Sequence, residues 1–251
     1  MNLESNHLQD ASLWDETAAE GYDTPGEGMF AEEVLLPTVD FLARLSKGRE
    51  ALEFAIGTGR VAIPLSRRGV RVCGIDYSEA MAAELLRKVG KGEIPVVVGD
   101  MTTTRVEGDF ALVYLVFNGL SNLLTQEAQV RCFHNAASHL RKGGSFVVEL
   151  WVPELRKLPP GQKAVVWEER PGFIGLDTYD TLIQHVVSHH FSFDNSEAAR
   201  LRRTEHRYVW PSELDLMARL AGFVLEHRTS DWKGAAFDAD SRSHVSVYVK
   251  Q

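Results

Sequence analysis

The chemistry of this chain is concentrated in a few glycines and carboxylates. In "ALEFAIGTGRVAIPLSRRG", residues 51–69, the run Gly57-Thr58-Gly59-Arg60-Val61-Ala62 satisfies G-x-G-x-x-G/A. An apolar segment precedes it and a helix-like segment follows, as in turns that hold nucleotide cofactors. Glycine admits positive φ at little cost and lets backbone approach a ligand closely. Asp76 closes the next apolar segment, near the distance expected of a carboxylate that accepts from ribose hydroxyls.

These features alone suit a nicotinamide dinucleotide, so an NAD(P)-dependent oxidoreductase is one reading. Glu53, four residues before Gly57, argues against it. A pyrophosphate is strongly anionic and a carboxylate at its doorway repels it. S-adenosylmethionine has no phosphate and carries an ammonium, a sulfonium and one carboxylate. A third acid, Asp100 in "VVVGDM", ends another strand-like segment. Ligands of open α/β sheets sit at the carboxyl ends of strands. Glu53, Asp76 and Asp100 would then line one edge, a rim suited to an adenosyl cation, with Asp100 placed to accept from the adenine amino group.

The elements that must position these residues alternate. "ALEFAI", "VRVCGID", "IPVVVGD", "FALVYLVF" and "SFVVELW" read as strands. "RVAIPLSRRG", "SEAMAAELLRKVG" (capped by Ser78) and "TQEAQVRCFHNAASHLRKGG" read as helices between them. That order predicts an α/β fold, a doubly wound, mostly parallel seven-stranded Rossmann-like sheet with helices on both faces. "VLEHRTSDW" and "HVSVYVKQ" predict an antiparallel terminal hairpin after a helix capped by Ser212. Residues 151–207 lack crossover helices and predict a small antiparallel β insertion. The expected division is an N-terminal helical arm or lid over 1–28, a cofactor-binding core over 29–150, an inserted substrate-side subdomain over 151–207, and a return to the core over 208–251. In the arm, Ser12 with Asp15 three positions on resembles a capping box. Pro37 is expected to divide the helical segment from Met29 to Gly48 in two.

The set "LEFAIGTGR", "GIDYS", "VVVGDM", "LVYLVFNGLSNL", "LRKGGSFVVEL" and "AGFVLEHRTSDW…HVSVYVKQ" resembles the class I S-adenosylmethionine-dependent methyltransferases, in the order of that family. The resemblance covers roughly 30–150 and 208–251 and is nearest to small-molecule enzymes of bacterial secondary metabolism, including sugar N-methyltransferases. It implies that Ala55, Gly57 and Gly59 bring backbone to the methionine part, with Thr58 in the same turn. Glu53 would lie near the ammonium and Arg60 near the cofactor carboxylate. Asp76 would bind the ribose, with Ser78 and Met81 beside it, and Tyr77 would flank the adenine. Asp100 and Met101 would meet the adenine, and Val116, Phe117 and Asn118 would face the methyl group. Tyr22 resembles the tyrosine of the family's N-terminal lid. One departure is Ala55, where the family's first glycine stands.

An acceptor of a methyl group must be held in line and kept from water; an amine must arrive neutral, whereas a hydroxyl usually needs a base. Base candidates are His189, His190 and Tyr22; adjacent strand positions send the two histidines to opposite faces. Trp14, Glu149, Trp151, Arg207 and His244 are candidate acceptor contacts outside the cofactor motifs. Cys/His metal spacing and a G-x-S-x-G motif are both missing, so no metal is expected. A net charge of −8 argues against nucleic acid, and no apolar run reaches the roughly 18–20 residues of a membrane span. Two cysteines and an acidic N-terminus without an apolar leader core suggest a cytoplasmic protein. The expected partner is a small-molecule acceptor, with the chain a monomer or homodimer. The expected function is methyl transfer to N or O; a non-catalytic S-adenosylmethionine-binding regulator is the other alternative.

Overall fold

The computed structural model describes residues 8, 11–90, 92–193 and 199–251. A seven-stranded sheet dominates, in the order β10-β11-β5-β4-β1-β2-β3. Its parallel part is β1 (Ala51–Phe54), β2 (Val72–Asp76), β3 (Val96–Val98), β4 (Phe110–Leu115) and β5 (Leu140–Trp151). β10 (Phe223–Thr229) and β11 (Ser243–Lys250) form the antiparallel hairpin, and β11 pairs antiparallel with β5. The chain runs from β1 outward to β3, then crosses back to β4 on the other side of β1. A crevice opens at the carboxyl ends of strands where the winding reverses. Here that point lies between β1 and β4.

Every residue of β1 and β4 is buried, as expected of strands covered on both faces. On one face Phe133 of α5 (Gln126–His139) and Met217 of α6 (Pro211–Leu220) pack with Phe54, Phe146 and Tyr248. On the other, Leu42 of α2 (Glu32–Ser46), Leu65 of α3 (Ala62–Arg67) and Leu85 of α4 (Glu79–Lys88) pack with Leu112, Tyr114 and Val247.

Three local expectations change. α1 (Glu16–Glu20) is capped by Asp15, whose carboxylate accepts from Ala18 N at 2.9 Å; the Ser12 side chain lies outside the described residues. Pro37 does not divide α2, which runs through it. The proline withdraws the donor to the carbonyl of Glu33, which lies on the exposed side of the helix start. α6 begins at Pro211 with Trp210 as cap residue, so Ser212 is already helical. Proline at the first helical position has its φ preset and loses a donor that had no partner there.

The second sheet is an antiparallel meander of β6 (Ala164–Arg170), β7 (Phe173–Asp180), β8 (His185–Phe193) and β9 (Ala199–Arg207). Tyr179, Val186 and Tyr208 pack with Trp151 and Leu155 to join it to the end of β5. Arg207 makes the second joint. It is 4% exposed and donates to Gln129 at 2.5 Å, Gln184 at 2.9 Å and Glu213 at 2.8 Å. The Gln129 amide in turn donates to the carbonyls of Leu120 and Leu123. Arg207 therefore fastens the insertion to α5 and α6, buried among the partners it bonds.

Candidate active site

A cavity lies at the β1/β4 switch point, lined by residues from the β1–α3 turn, the ends of β2, β3 and β4, and the arm. Glu53 sits in its floor, 3% exposed, and accepts from Tyr114 Oη at 2.8 Å. Burial pushes its pKa up to about 8, although the Tyr114 hydrogen bond and the Arg60 charge pull it down. Asp76, also buried, bridges two turns. Its Oδ2 accepts from Gly57 N at 2.6 Å and its Oδ1 from Ser78 N at 2.8 Å. Burial raises its pKa against those two bonds. Each carboxylate oxygen has two lone pairs, so a ribose hydroxyl can still donate to it.

The glycine turn divides its labour. Gly57, at φ 57°, lines the cavity where a Cβ would touch Met81 Cε at 3.5 Å. Gly59 does not line the cavity; at φ 83° it lies where a Cβ would meet Leu85 at 2.9 Å and Ile63 at 3.0 Å. Its role is to let α3 seat against α4. Ala55 lines the cavity with φ 52°, a left-handed conformation in which its Cβ is strained. Gly119, which lines the cavity beside it, makes room for Leu115: a Cβ there would meet the Leu115 Cδ1 at 2.4 Å.

The arm closes over this turn. Thr58 donates to Asp23 at 2.5 Å, and Lys88 bonds both Asp23 and the Thr58 carbonyl. Ser78, the cap of α4, donates to the Trp14 carbonyl at 2.7 Å. Tyr22 stands edge-on between Trp14 (5.9 Å) and Phe30 (6.1 Å), and burial raises its pKa. Arg60 donates to the Met29 carbonyl at 3.2 Å, and its guanidinium lies 5.1 Å from the Phe117 ring centre.

After β4 the chain is strained. Phe117 and Asn118 have φ of 49° and 63°, although neither is glycine. Such backbone persists only where its surroundings determine it. Glu149 supplies much of that determination. Its Oε2 accepts from Phe117 N at 2.7 Å and its Oε1 from Trp232 Nε1 at 2.6 Å. The Asn118 carbonyl-type Oδ1 accepts from Trp151 N at 2.8 Å. Glu149 is thus a holder of the Phe117 turn, not an acceptor contact.

Other expected residues also fall elsewhere. Asp100 turns its oxygens to Thr102 N (2.7 Å) and Thr102 Oγ1 (2.8 Å), and its neighbours Gly99 and Met101 line the cavity in its place. Tyr77 lines the cavity and is half exposed, whereas Asn118 does not line it. Val116, Phe117 and Trp14 do. Trp151 packs on Tyr208 at 6.2 Å. His244 is fully buried on β11 against Ser246 and Phe237, where burial lowers its pKa to about 3. His189 and His190 lie outside the cavity lining; His189 contacts Thr178 and Arg203, and His190 stands beside Trp167 and Phe173. Leu8, Ile56, Ile75, Gly99, Gly119 and Asn122 line the cavity but were not expected. Ile56 and Ile75 adjoin motif residues and could have been included by position; Leu8 carries no sequence signal. Among the described residues, no group of His, Cys, Asp or Glu could hold a metal ion, and no helix is long and apolar enough to cross a membrane.

The donor set therefore fits a ligand with an adenosyl group and a cationic amino acid end: a carboxylate at the β2 end, a buried carboxyl in the floor, and a guanidinium facing it. The comparisons agree with that chemistry. A family described as methyltransferase domain matches residues 51–144. The chain is 32% identical to the CcbJ methyltransferase of Streptomyces caelestis, with a TM-score of 0.81 over 94% of this chain and 96% of that one. It is 26% identical, over 97% of its length and all of the relative's, to a cypemycin N-terminal methyltransferase of a Streptomyces species. CalS10, an amino pentose methyltransferase of Micromonospora echinaspora, shares the fold at 19% identity and a TM-score of 0.68, over 94% of this chain and 96% of that one.

Replacing Ala55 by glycine should stabilise the protein by about 0.5–1 kcal/mol. Relief of positive φ, roughly 1–2 kcal/mol, exceeds the gain in unfolded-chain freedom, about 0.4–1 kcal/mol. Urea unfolding of Ala55→Gly checks this; a variant less stable than the parent would show that Ala55 is not strained.

Proposed function

This chain belongs to the class I S-adenosylmethionine-dependent methyltransferases, and we propose that it methylates an amino nitrogen of a small organic molecule. When bound, the cofactor supplies an electrophilic methyl group. Asp76 is the residue to hold the ribose hydroxyls, Glu53 the ammonium, and Arg60 the carboxylate. Met81, Gly99 and Met101 offer the adenine an apolar slot. Tyr22, Trp14 and Phe117 close the cavity and exclude water, which strengthens each charge interaction inside it.

The observation that carries the choice of nitrogen is the titratable lining. The described groups there are Tyr22, Glu53, Arg60, Asp76 and Tyr77. Glu53 and Asp76 are committed to the cofactor in this reading. Burial raises the Tyr22 pKa, so its hydroxyl keeps its proton near neutrality. A neutral amine needs no base in order to attack; among the described residues a hydroxyl would find none well placed. The names of two relatives support the same reading: the cypemycin N-terminal methyltransferase and a dTDP-4-amino-2,3,4,6-tetradeoxy-D-glucose N,N-dimethyltransferase of Saccharopolyspora spinosa.

Incubation with S-adenosylmethionine and a matched panel of small amines and alcohols, read by mass spectrometry, tests this. Methylated amines without methylated alcohols are expected; methyl gain confined to alcohols would overturn it. Glu53 adds a pH signature. Its carboxyl is mostly protonated at pH 7 when its pKa is about 8, and an ammonium beside it favours the carboxylate. Binding of S-adenosylhomocysteine, which retains the ammonium, should release close to one proton near pH 7, and affinity should strengthen as pH rises toward 8 and then level off. Calorimetry in buffers of different ionisation heat measures the release, and Glu53→Gln should abolish it. Buffer-independent heats for the wild type would contradict this placement.

A further inference from the structure

The second sheet turns one face toward the cavity. On that face stand Phe173, Gly175, Asp177 and Tyr179 of β7. Register places Val186, Ser188 and His190 of β8 beside them, then Arg202, Thr204 and His206 of β9. Two contacts fix its direction. Arg202 lies 5.5 Å from the Trp14 ring centre and donates to the Leu13 carbonyl at 3.2 Å. His206 Nδ1 lies 3.4 Å from Ser121 Oγ, in the turn whose Gly119 and Asn122 line the cavity. Thr204 lies between those two contacts on β9, and the row Thr204–Ser188–Asp177 runs from there across the sheet.

Asp177 is the unusual member of this row. It is half-buried, and Ser188 Oγ donates to its Oδ1 at 2.6 Å and Tyr179 Oη to its Oδ2 at 3.4 Å. The Trp167 indole N–H favours its charged form too. These donors are neutral. No lysine or arginine of the described residues is among the influences on Asp177, and burial raises its pKa. His190 is the nearest charge-capable neighbour, and burial keeps its pKa below the usual value. Keeping a half-buried carboxylate charged beside hydroxyl partners and no cation is costly, and a ligand cation relieves that cost.

The surroundings are shaped for such a ligand. Trp167 folds over Gly175 so closely that a Cβ there would meet the indole at 2.3 Å. Its ring stands 5.7 Å from Phe173 and 5.6 Å from His190. Arg170 already stands 4.5 Å from the Phe173 ring centre, so the Trp167 and His190 rings beside the carboxylate are the faces left to receive an organic ammonium group. We propose that Asp177, with Ser188 and the Trp167 and His190 rings, is the acceptor subsite for a protonated amino group carried on an apolar ring or chain. The proposal rests on the methyltransferase reading of the neighbouring cavity and names a charged amino group that its acceptor must carry apart from the neutral nitrogen that is methylated. Arg202 ties the same sheet face to the arm, so the subsite and the cofactor cover are parts of one enclosure.

The test uses cyclohexylamine, an ammonium at pH 7, and cyclohexanol, its uncharged counterpart, titrated into the full chain with and without S-adenosylhomocysteine. NMR of the Trp167 indole N–H, assigned with Trp167→Phe, reads the site. The ammonium should shift that resonance and bind at least five-fold more tightly than the alcohol. Asp177→Asn should lose the preference while keeping S-adenosylhomocysteine affinity within two-fold, and Asp177→Glu should retain part of it. An alcohol that binds the wild type as well as the ammonium overturns the subsite, even if the asparagine variant does not fold. A preference that survives in Asp177→Asn overturns it equally. Failure of S-adenosylhomocysteine to bind the wild type would instead overturn the reading of the cavity.

Discussion

The carboxylate of Asp76 holds the site together. It draws Gly57 N to one oxygen and Ser78 N to the other, and so pins the glycine turn to the end of β2 and the start of α4. Ser78 passes the connection to the arm through the Trp14 carbonyl, and Arg202 passes it from Trp14 to the second sheet. Four segments far apart in sequence meet through this one buried acid. Hydrogen bonds to a charged group are worth more than neutral ones, about 1.5–3 kcal/mol each, so an acid at this junction is well chosen. It also leaves the cavity electrically suited to a cation, because both donors to Asp76 are neutral backbone groups.

A second physical theme is strain held in place by polar ties. Ala55, Phe117 and Asn118 all adopt positive φ around the cavity. The Phe117 turn is held by Glu149, and Glu149 is oriented by Trp232 from the loop between β10 and β11. The terminal hairpin thereby does more than extend the sheet. It carries the residue that fixes the orientation of the acid that fixes the turn beside the cofactor space.

The parallel sheet, its hairpin and the antiparallel insertion were legible because buried strands, capped helices and glycine stops leave periodic marks. The glycine turn, Glu53 and Asp76 were legible because their types and spacing express ligand chemistry. What was hidden depends on side-chain direction. Asp100 turns its oxygens to Thr102, and Gly59 serves helix packing; neither can be told from sequence spacing. Arg207 and His244 looked like chemistry and are packing, since burial is a property of the whole fold. Asp177 escaped notice for the converse reason: an acid on a β-strand has no signature until its neighbours prove to be hydroxyls and rings.

The central claim is that buried acids, Asp76 foremost, select an adenosyl cation over a pyrophosphate dinucleotide. Calorimetric titration of the wild type and Asp76→Ala with S-adenosylhomocysteine and with NAD tests it most directly. The wild type should bind the first ligand and not the second. The folded variant should bind S-adenosylhomocysteine at least ten-fold more weakly, the loss of about 1.5–3 kcal/mol expected of hydrogen bonds to a charged group. Unchanged affinity in Asp76→Ala, or tight binding of NAD by the wild type, would contradict the account.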